Sequence, residues 1–209
     1  MHTFCFAVVC AAGSIAGAQV VGFSEDFNGD GAGYGGGSFQ GLVADGGVGG
    51  VGDGYLLVGN DDLANLGAFA TTGSGLVGDL PAAGVTGISF YLSELDTDDG
   101  LEIHVGVGNN FTNFWTTTIG FDADAGGWTQ YTVDLTDASQ WTQIFGNGSF
   151  EDALAATDRI LFRHDVSPIV RSPDPATGFF GVDRITLLPA PGAAALLLAG
   201  APFAIRRRR

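Results

Sequence analysis

Glu94-Leu-Asp96-Thr-Asp98 sets three carboxylates at alternate positions. On a strand, residues i, i+2 and i+4 point the same way, so the three would share one face. Two carboxyl groups about 5–5.5 Å apart can act as nucleophile and acid in glycoside hydrolysis, which makes Glu94 and Asp98 the candidate catalytic pair. Asp99-Gly100 follows as a hairpin-turn signal and puts the pair at a strand end. A second oxygen-rich run is Asp26-Phe-Asn28-Gly-Asp30-Gly31. Alternate Asp and Asn oxygens suit a hard cation such as calcium, and glycine permits the sharp turn. The twelfth position, where a bidentate acid would close such a loop, is Gly37. A solvated Asx-rich turn is the competing reading. His104 and His164 lack a second His or Cys at ligand spacing, so zinc is unsupported.

Aromatic rings offer a different chemistry, because their flat apolar faces suit the CH-rich face of a pyranose. The candidates are Phe111, Phe114, Trp115, Trp128, Tyr131 and Trp141. Most should belong to a core, since aromatics dominate sandwich interiors. Trp115 and Trp141 are expected to be exposed and to bind a ligand.

These residues need strands to position them. Ile88, Phe90 and Leu92 alternate with Ser89, Tyr91 and Ser93; Leu101, Ile103, Val105 and Val107 alternate with Glu102, His104 and Gly106. Tyr131, Val133 and Leu135 do the same, and Tyr55–Val58, Leu66–Ala70, Trp115–Phe121, Ile160–Phe162 and Phe179–Leu187 are further strand-like runs. Alternation means one buried and one wet face, the habit of antiparallel sheets. From Gly29 to Gly54, 13 of 26 residues are glycine, which predicts surface loops joining short edge strands. One helix is predicted near residue 150, with Ser149 as cap, Asp152 at the capping-box position, and Phe150 and Leu154 on one face. The set implies an all-β, antiparallel β-sandwich of jelly-roll type.

Charge and cysteine usage narrow the partners. All 23 acids lie between residues 19 and 187, against four arginines and no lysine, so that body carries a net charge of −19. Such a surface repels nucleic acid and anionic polymers and favours divalent cations. Cys5 and Cys10 both fall in the first 18 residues, which leaves the body without a disulfide. Residues 1–18 read as a signal peptide: an apolar stretch ending Ala16-Gly17-Ala18, the small-residue pattern that signal peptidase cuts after. Residues 188–209 read as a sorting and anchor tail with Pro189-Ala190-Pro191, an apolar segment from Ala193 to Ile205, and Arg206-Arg-Arg-Arg209. Arginines cost roughly 2.5–3.5 kcal/mol each at a bilayer centre, so the cluster stays cytoplasmic. The 13 apolar residues fall short of the roughly 20 of a membrane span. Three units follow: a signal helix over 1–18, a sandwich over 19–187, and an anchor helix within 188–209.

The order of motif, apolar segment and arginines resembles the PEP-CTERM class of exported bacterial proteins, with Pro-Ala-Pro in place of Pro-Glu-Pro. That resemblance implies an exosortase-like processing enzyme as partner, transient membrane anchorage and a place in the envelope or outside the cell. Trp128-Thr-Gln-Tyr-Thr-Val-Asp-Leu135, Trp141, Ile160-Leu-Phe-Arg-His164 and Gly181-Val-Asp-Arg-Ile-Thr-Leu187 are similar to the second half of galactose-binding-like jelly rolls. Many non-catalytic carbohydrate-binding modules share that fold. The resemblance implies a structural calcium where the first and closing strands meet, with Glu25 or Asp26 facing Asp183. The alternatives for Asp183 are solvent, Arg184 or Arg159. Retaining β-glucanases carry a strand similar to residues 94–98, which keeps glycoside hydrolysis open beside a non-catalytic polysaccharide-binding role and a purely structural one.

Overall fold

The computed structural model describes residues 21–29, 34–71, 74–95, 100–123 and 127–190. The signal helix, the anchor helix, Ala18, Asp98, Pro191 and Arg206 lie outside the described residues.

Two antiparallel sheets face each other. The first contains β1 (Ser24–Glu25), β3 (Phe39–Val43), β4 (Tyr55–Asn65), β6 (Val85–Glu94), β10 (Thr129–Asp134) and β13 (Pro175–Pro189). Its order is β10-β6-β13-β4-β3, with β1 beside β13. The second contains β2 (Tyr34–Gly35), β5 (Gly67–Ala70), β7 (Glu102–Asn109), β8 (Asn113–Thr117), β9 (Phe121–Asp122), β11 (Trp141–Gly146) and β12 (Arg159–His164). Its order is β11-β8-β7-β12-β5-β2, with β9 beside β7. The chain crosses repeatedly between the sheets, which is the jelly-roll habit.

Alternation predicted the inner face well. Ile88, Phe90 and Leu92 of β6 are fully buried, as are Val58 of β4 and Phe180 and Val182 of β13. Ile103, Val105 and Val107 of β7 and Ile160 of β12 meet them from the second sheet. Phe90 joins the layers: its ring lies edge-on to Phe162 at 5.1 Å and to Phe121 at 5.4 Å, a favoured aromatic geometry. Helix α1 (Phe150–Ala155) forms as read, capped by Ser149 and Asp152 in a reciprocal box, with Phe150 and Leu154 buried.

One boundary moves. β13 runs two residues past Leu187, pairing Leu188 with Gly87 and Pro189 with Val85. Pro189, assigned to the tail by its motif, is therefore the last residue of the closing strand. A proline is tolerated at a strand's end, where its missing N–H leaves no gap in the ladder. Among the described residues, no helix is long and apolar enough to cross a membrane.

Candidate functional site: a glycine-backed aromatic face and an oxygen-rich loop

The outer face of the first sheet is built by strand register. Residues opposite one another in an antiparallel pair share a side. Phe39 therefore lies with Gly59 and Phe179, and Gly41 with Leu57 and Gly181. Asp183 lies with Tyr91 and Gln130. Aromatic side chains fill the space that glycines leave. A β-carbon added at Gly59 would stand 2.1 Å from the Phe179 ring, and one at Gly181 would stand 2.6 Å from Trp128. Trp128 meets Tyr55 edge-on at 5.3 Å, and its Nε1 donates to the Gly46 carbonyl at 2.9 Å. Phe39 remains 58% exposed at the sheet's edge. Gln130 Nε2 donates to Ser89 Oγ at 2.9 Å; Ser89 is buried, so the exposed Gln130 amide is the polar group beside the rings.

A loop from residue 44 to 54 folds over one end of this face and buries Asp183. The acid sits at a bulge in β13, where the register shifts before Thr186. Val48 N donates to its Oδ2 at 2.8 Å and Arg184 N to its Oδ1 at 2.6 Å. Burial pushes the Asp183 carboxyl above the usual range, the two amides opposing that rise. Nearby, Asp53 accepts from Asn28 Nδ2 at 2.9 Å and from Arg184 Nη2 at 3.0 Å. The Asn28 hydrogen bond leads the causes that hold Asp53 below the usual carboxylate range. Asn28 Oδ1 in turn accepts from Gly54 N at 2.7 Å. Phe27 and Arg184 flank this cluster in the left-handed region, at φ 54° and 47°, a conformation non-glycine residues adopt under constraint.

Oxygens crowd the interior of the loop. A β-carbon at Gly47 would meet the Gly54 carbonyl oxygen at 2.5 Å, Asp183 Oδ2 at 2.9 Å and the Asp53 carbonyl oxygen at 3.0 Å. One at Gly54 would meet the carbonyl oxygens of Phe27 at 2.5 Å and Val43 at 3.1 Å. β1 pairs with β13 through Ser24–Thr186 and Glu25–Ile185, so the first and closing strands do adjoin here. Glu25 Oε1 accepts from Phe27 N at 3.1 Å. Carboxylate and main-chain carbonyl oxygens are the hard donors that calcium takes and zinc does not favour, and here they lie around Gly47 and Gly54. Among the described residues, no three His, Cys, Asp or Glu side chains gather as a metal-holding group, so carbonyls would have to supply much of the coordination. The expected reason for a metal changes as well. Asp183 needs no cation to be satisfied, because two amides already serve it. Neither arginine takes it by a side chain: Arg184 reaches Asp53, and Arg159 pairs with Asp158 at 3.3 Å.

Two expectations are corrected. Trp141 is only 5% exposed, with its Nε1 donating to Asp134 O at 2.9 Å. Trp115 is half-buried, its ring 5.4 Å from Phe150 and its Nε1 bonded to Asn113 Oδ1. Their β8 and β11 positions turn them toward α1, so neither is the exposed stacking ring expected. Glu94 is 2% exposed and opposite core residue Phe180, so it faces inward. A nucleophile held there has no access to a polymer. Tyr55, Tyr91 and Phe179 were not singled out from the sequence. For Phe179 the signal is a glycine, Gly59, directly across the ladder, which requires the register; Tyr55 and Tyr91 stand opposite Val43 and Asp183, and no local pattern marks them.

No known family's sequence profile matches the chain, and no curated protein is significantly similar to it. Solved structures are similar in fold. The family 11 carbohydrate-binding module of the cellulosomal cellulase Lic26A-Cel5E of Clostridium thermocellum is 15% identical, with a TM-score of 0.52 over 83% of this chain and 97% of that one. That family 11 module was also solved in complex with a β-1,3-1,4-mixed-linked tetrasaccharide. The CBM22-1 xylan-binding domain of Xyn10C from Paenibacillus barcinonensis is 14% identical, with a TM-score of 0.51 over 83% of this chain and all of that one. An exo-β-agarase is 13% identical, with a TM-score of 0.58 over 83% of this chain but 26% of its own. At such identities the likeness establishes the two-sheet jelly-roll fold.

Proposed function

We propose that this protein is a non-catalytic glycan-binding sandwich that holds an uncharged β-linked polysaccharide on the outer face of its first sheet. The observation that carries the reading is the glycine-backed row of rings, Phe39, Phe179, Tyr55 and Trp128, with the exposed Gln130 amide alongside. A pyranose presents CH groups on one face and hydroxyls at its edge, so rings below and amide or hydroxyl groups beside are its complement. Similarity to modules that bind mixed-linked glucan and xylan supports the ligand class. The net charge of −19 on residues 19–187 favours a neutral polymer over an anionic one.

Calcium belongs to the proposal as a structural ion. Asp183, the carbonyls of Phe27, Asp53 and Gly54, and Glu25 or Asp26 would hold it, and the ion would brace the loop on which Trp128 rests through Gly46. Export by the leader, ending at Ala18, is part of the same reading. So are processing at Pro189 and Pro191 by an exosortase-like enzyme, and retention at the membrane with Arg206–Arg209 inside. A glycoside hydrolase using Glu94 and Asp98 is the less favoured reading, because buried Glu94 lacks access to substrate.

The test is affinity electrophoresis on barley mixed-linked glucan, xylan and agarose, for wild type, Phe179→Ala and Trp128→Ala. Truncating an aromatic that carries interface energy costs about 1–2 kcal/mol or more, so each variant should bind a retained polymer some five- to thirtyfold more weakly. Chelator should weaken binding in the same direction. Unchanged retardation in both variants, or no retardation on any neutral polymer, would remove this reading.

A further inference from the structure

A cavity of about 310 Å³ opens at one edge of the sandwich, away from the aromatic face. It lies where β10 of the first sheet and the ends of β8 and β11 of the second part company. Phe121, Val133 and Trp141 give it an apolar wall, and Thr118, Ser139 and Gln140 give it a polar rim. Its volume is near the lower end of small-ligand pockets, roughly 300–1,000 Å³. That admits a single ring and excludes the flank of a polymer.

Three features select the occupant. First, the lip carries Ile119, which is 78% exposed, a large apolar side chain left in water beside an apolar wall. Second, the rim is pre-set. The Asp137 carboxylate accepts from Ser139 N at 3.0 Å, Ser139 Oγ at 2.6 Å and Gln140 Nε2 at 2.9 Å, so hydroxyl and amide are locked at the mouth. The Ser139 oxygen and the Gln140 carboxamide oxygen remain acceptors for a ligand hydroxyl. Third, none of the lining residues is charged, and the Asp137 carboxylate stands behind the rim. An anionic ligand is disfavoured there. A neutral, hydroxyl-bearing ring with one apolar face meets all three conditions.

We infer that this edge cavity is an end-on site for the terminal sugar ring of a neutral glycan, separate from the chain-binding face. The inference rests on the glycan-binding reading and adds a second mode: the sheet face takes the interior of a chain, and the edge takes its tip. Two sites some strands apart would let one molecule engage a chain end and a neighbouring chain, raising retention through effective concentration.

The three tryptophans make the two sites separable in one experiment. The indole N–H of Trp141 reports the cavity, that of Trp128 the sheet face, and that of Trp115 the helix contact. Titrating ¹⁵N-labelled protein with cellotriose, xylotriose and neoagarotetraose should move the Trp141 signal with at least one sugar. Ser139→Trp, which fills the mouth from an exposed position, should weaken that response about tenfold. Ile119→Ala should weaken it less, and both variants should keep binding polymer. The cavity site is overturned if Trp141 stays still while Trp128 responds, or if Ser139→Trp leaves the Trp141 response intact. If neither Trp128 nor any polymer responds, the glycan-binding reading falls first and takes this site with it.

Discussion

Asp183 is a buried carboxylate supported by two main-chain N–H groups and little else. Its folded pKa is raised, so the folded chain holds that proton more tightly than the unfolded one. Its contribution to stability is therefore fully present below the unfolded value of about 3.9 and is lost as pH rises through the folded value. Asp165, raised by its own burial beside Arg163, acts in the same sense. In chelator, the melting temperature should fall as pH is raised from 4 toward 7, and Asp183→Asn should flatten part of that slope. Calcium bound to the ionised carboxylate reverses the sign: it should raise the melting temperature at pH 7 and do little at pH 4. Equal melting curves with calcium and with chelator at pH 7 would dismiss the ion.

At the level of elements, the sandwich is held by its layers and trimmed by short pieces. α1 has only six residues, too few to persist alone, so its cap and its buried side chains must hold it. Phe150 meets Trp141 at 5.0 Å and Trp115 at 5.4 Å, so the helix closes the edge of the second sheet over both tryptophans. Ser149→Ala removes the acceptor for Asp152 N, and chemical denaturation should show a loss of about 1 kcal/mol. The Trp141 indole signal should report that loosening, since the helix packs on that ring. A variant with unaltered stability would mean that packing alone sets the helix.

On the scale of the whole molecule, the closing strand β13 is the spine. It pairs with β4 on one side, β6 on the other, and β1 at its end. Its last rungs, Leu188 and Pro189, sit inside the segment that reads as a sorting motif. A processing enzyme acting there would have to take those residues out of the sheet. A chain ended at Leu187 should lose the half-buried Leu188 side chain, about 1 kcal/mol of apolar burial. It should melt some 2–4 °C below a chain ended at Ala190 by calorimetry. Equal melting points would show that the last two rungs add nothing.

Period-two patterning in β6, β7 and β10 was enough to place the core, because which face is buried is a local property of side-chain spacing. Ser149 and Asp152 were legible for the same reason: a cap is closed within one turn. The acidic, cysteine-free character of the body was likewise plain from composition. Other features depend on strands far apart in the chain, and no local pattern encodes their register. Trp128 faces Gly181 across two ladders, Phe179 covers Gly59, and a loop near residue 48 returns to cap Asp183. The burial of Glu94 and the inward turn of Trp141 were decided the same way, by which strand lies opposite and which helix closes the edge.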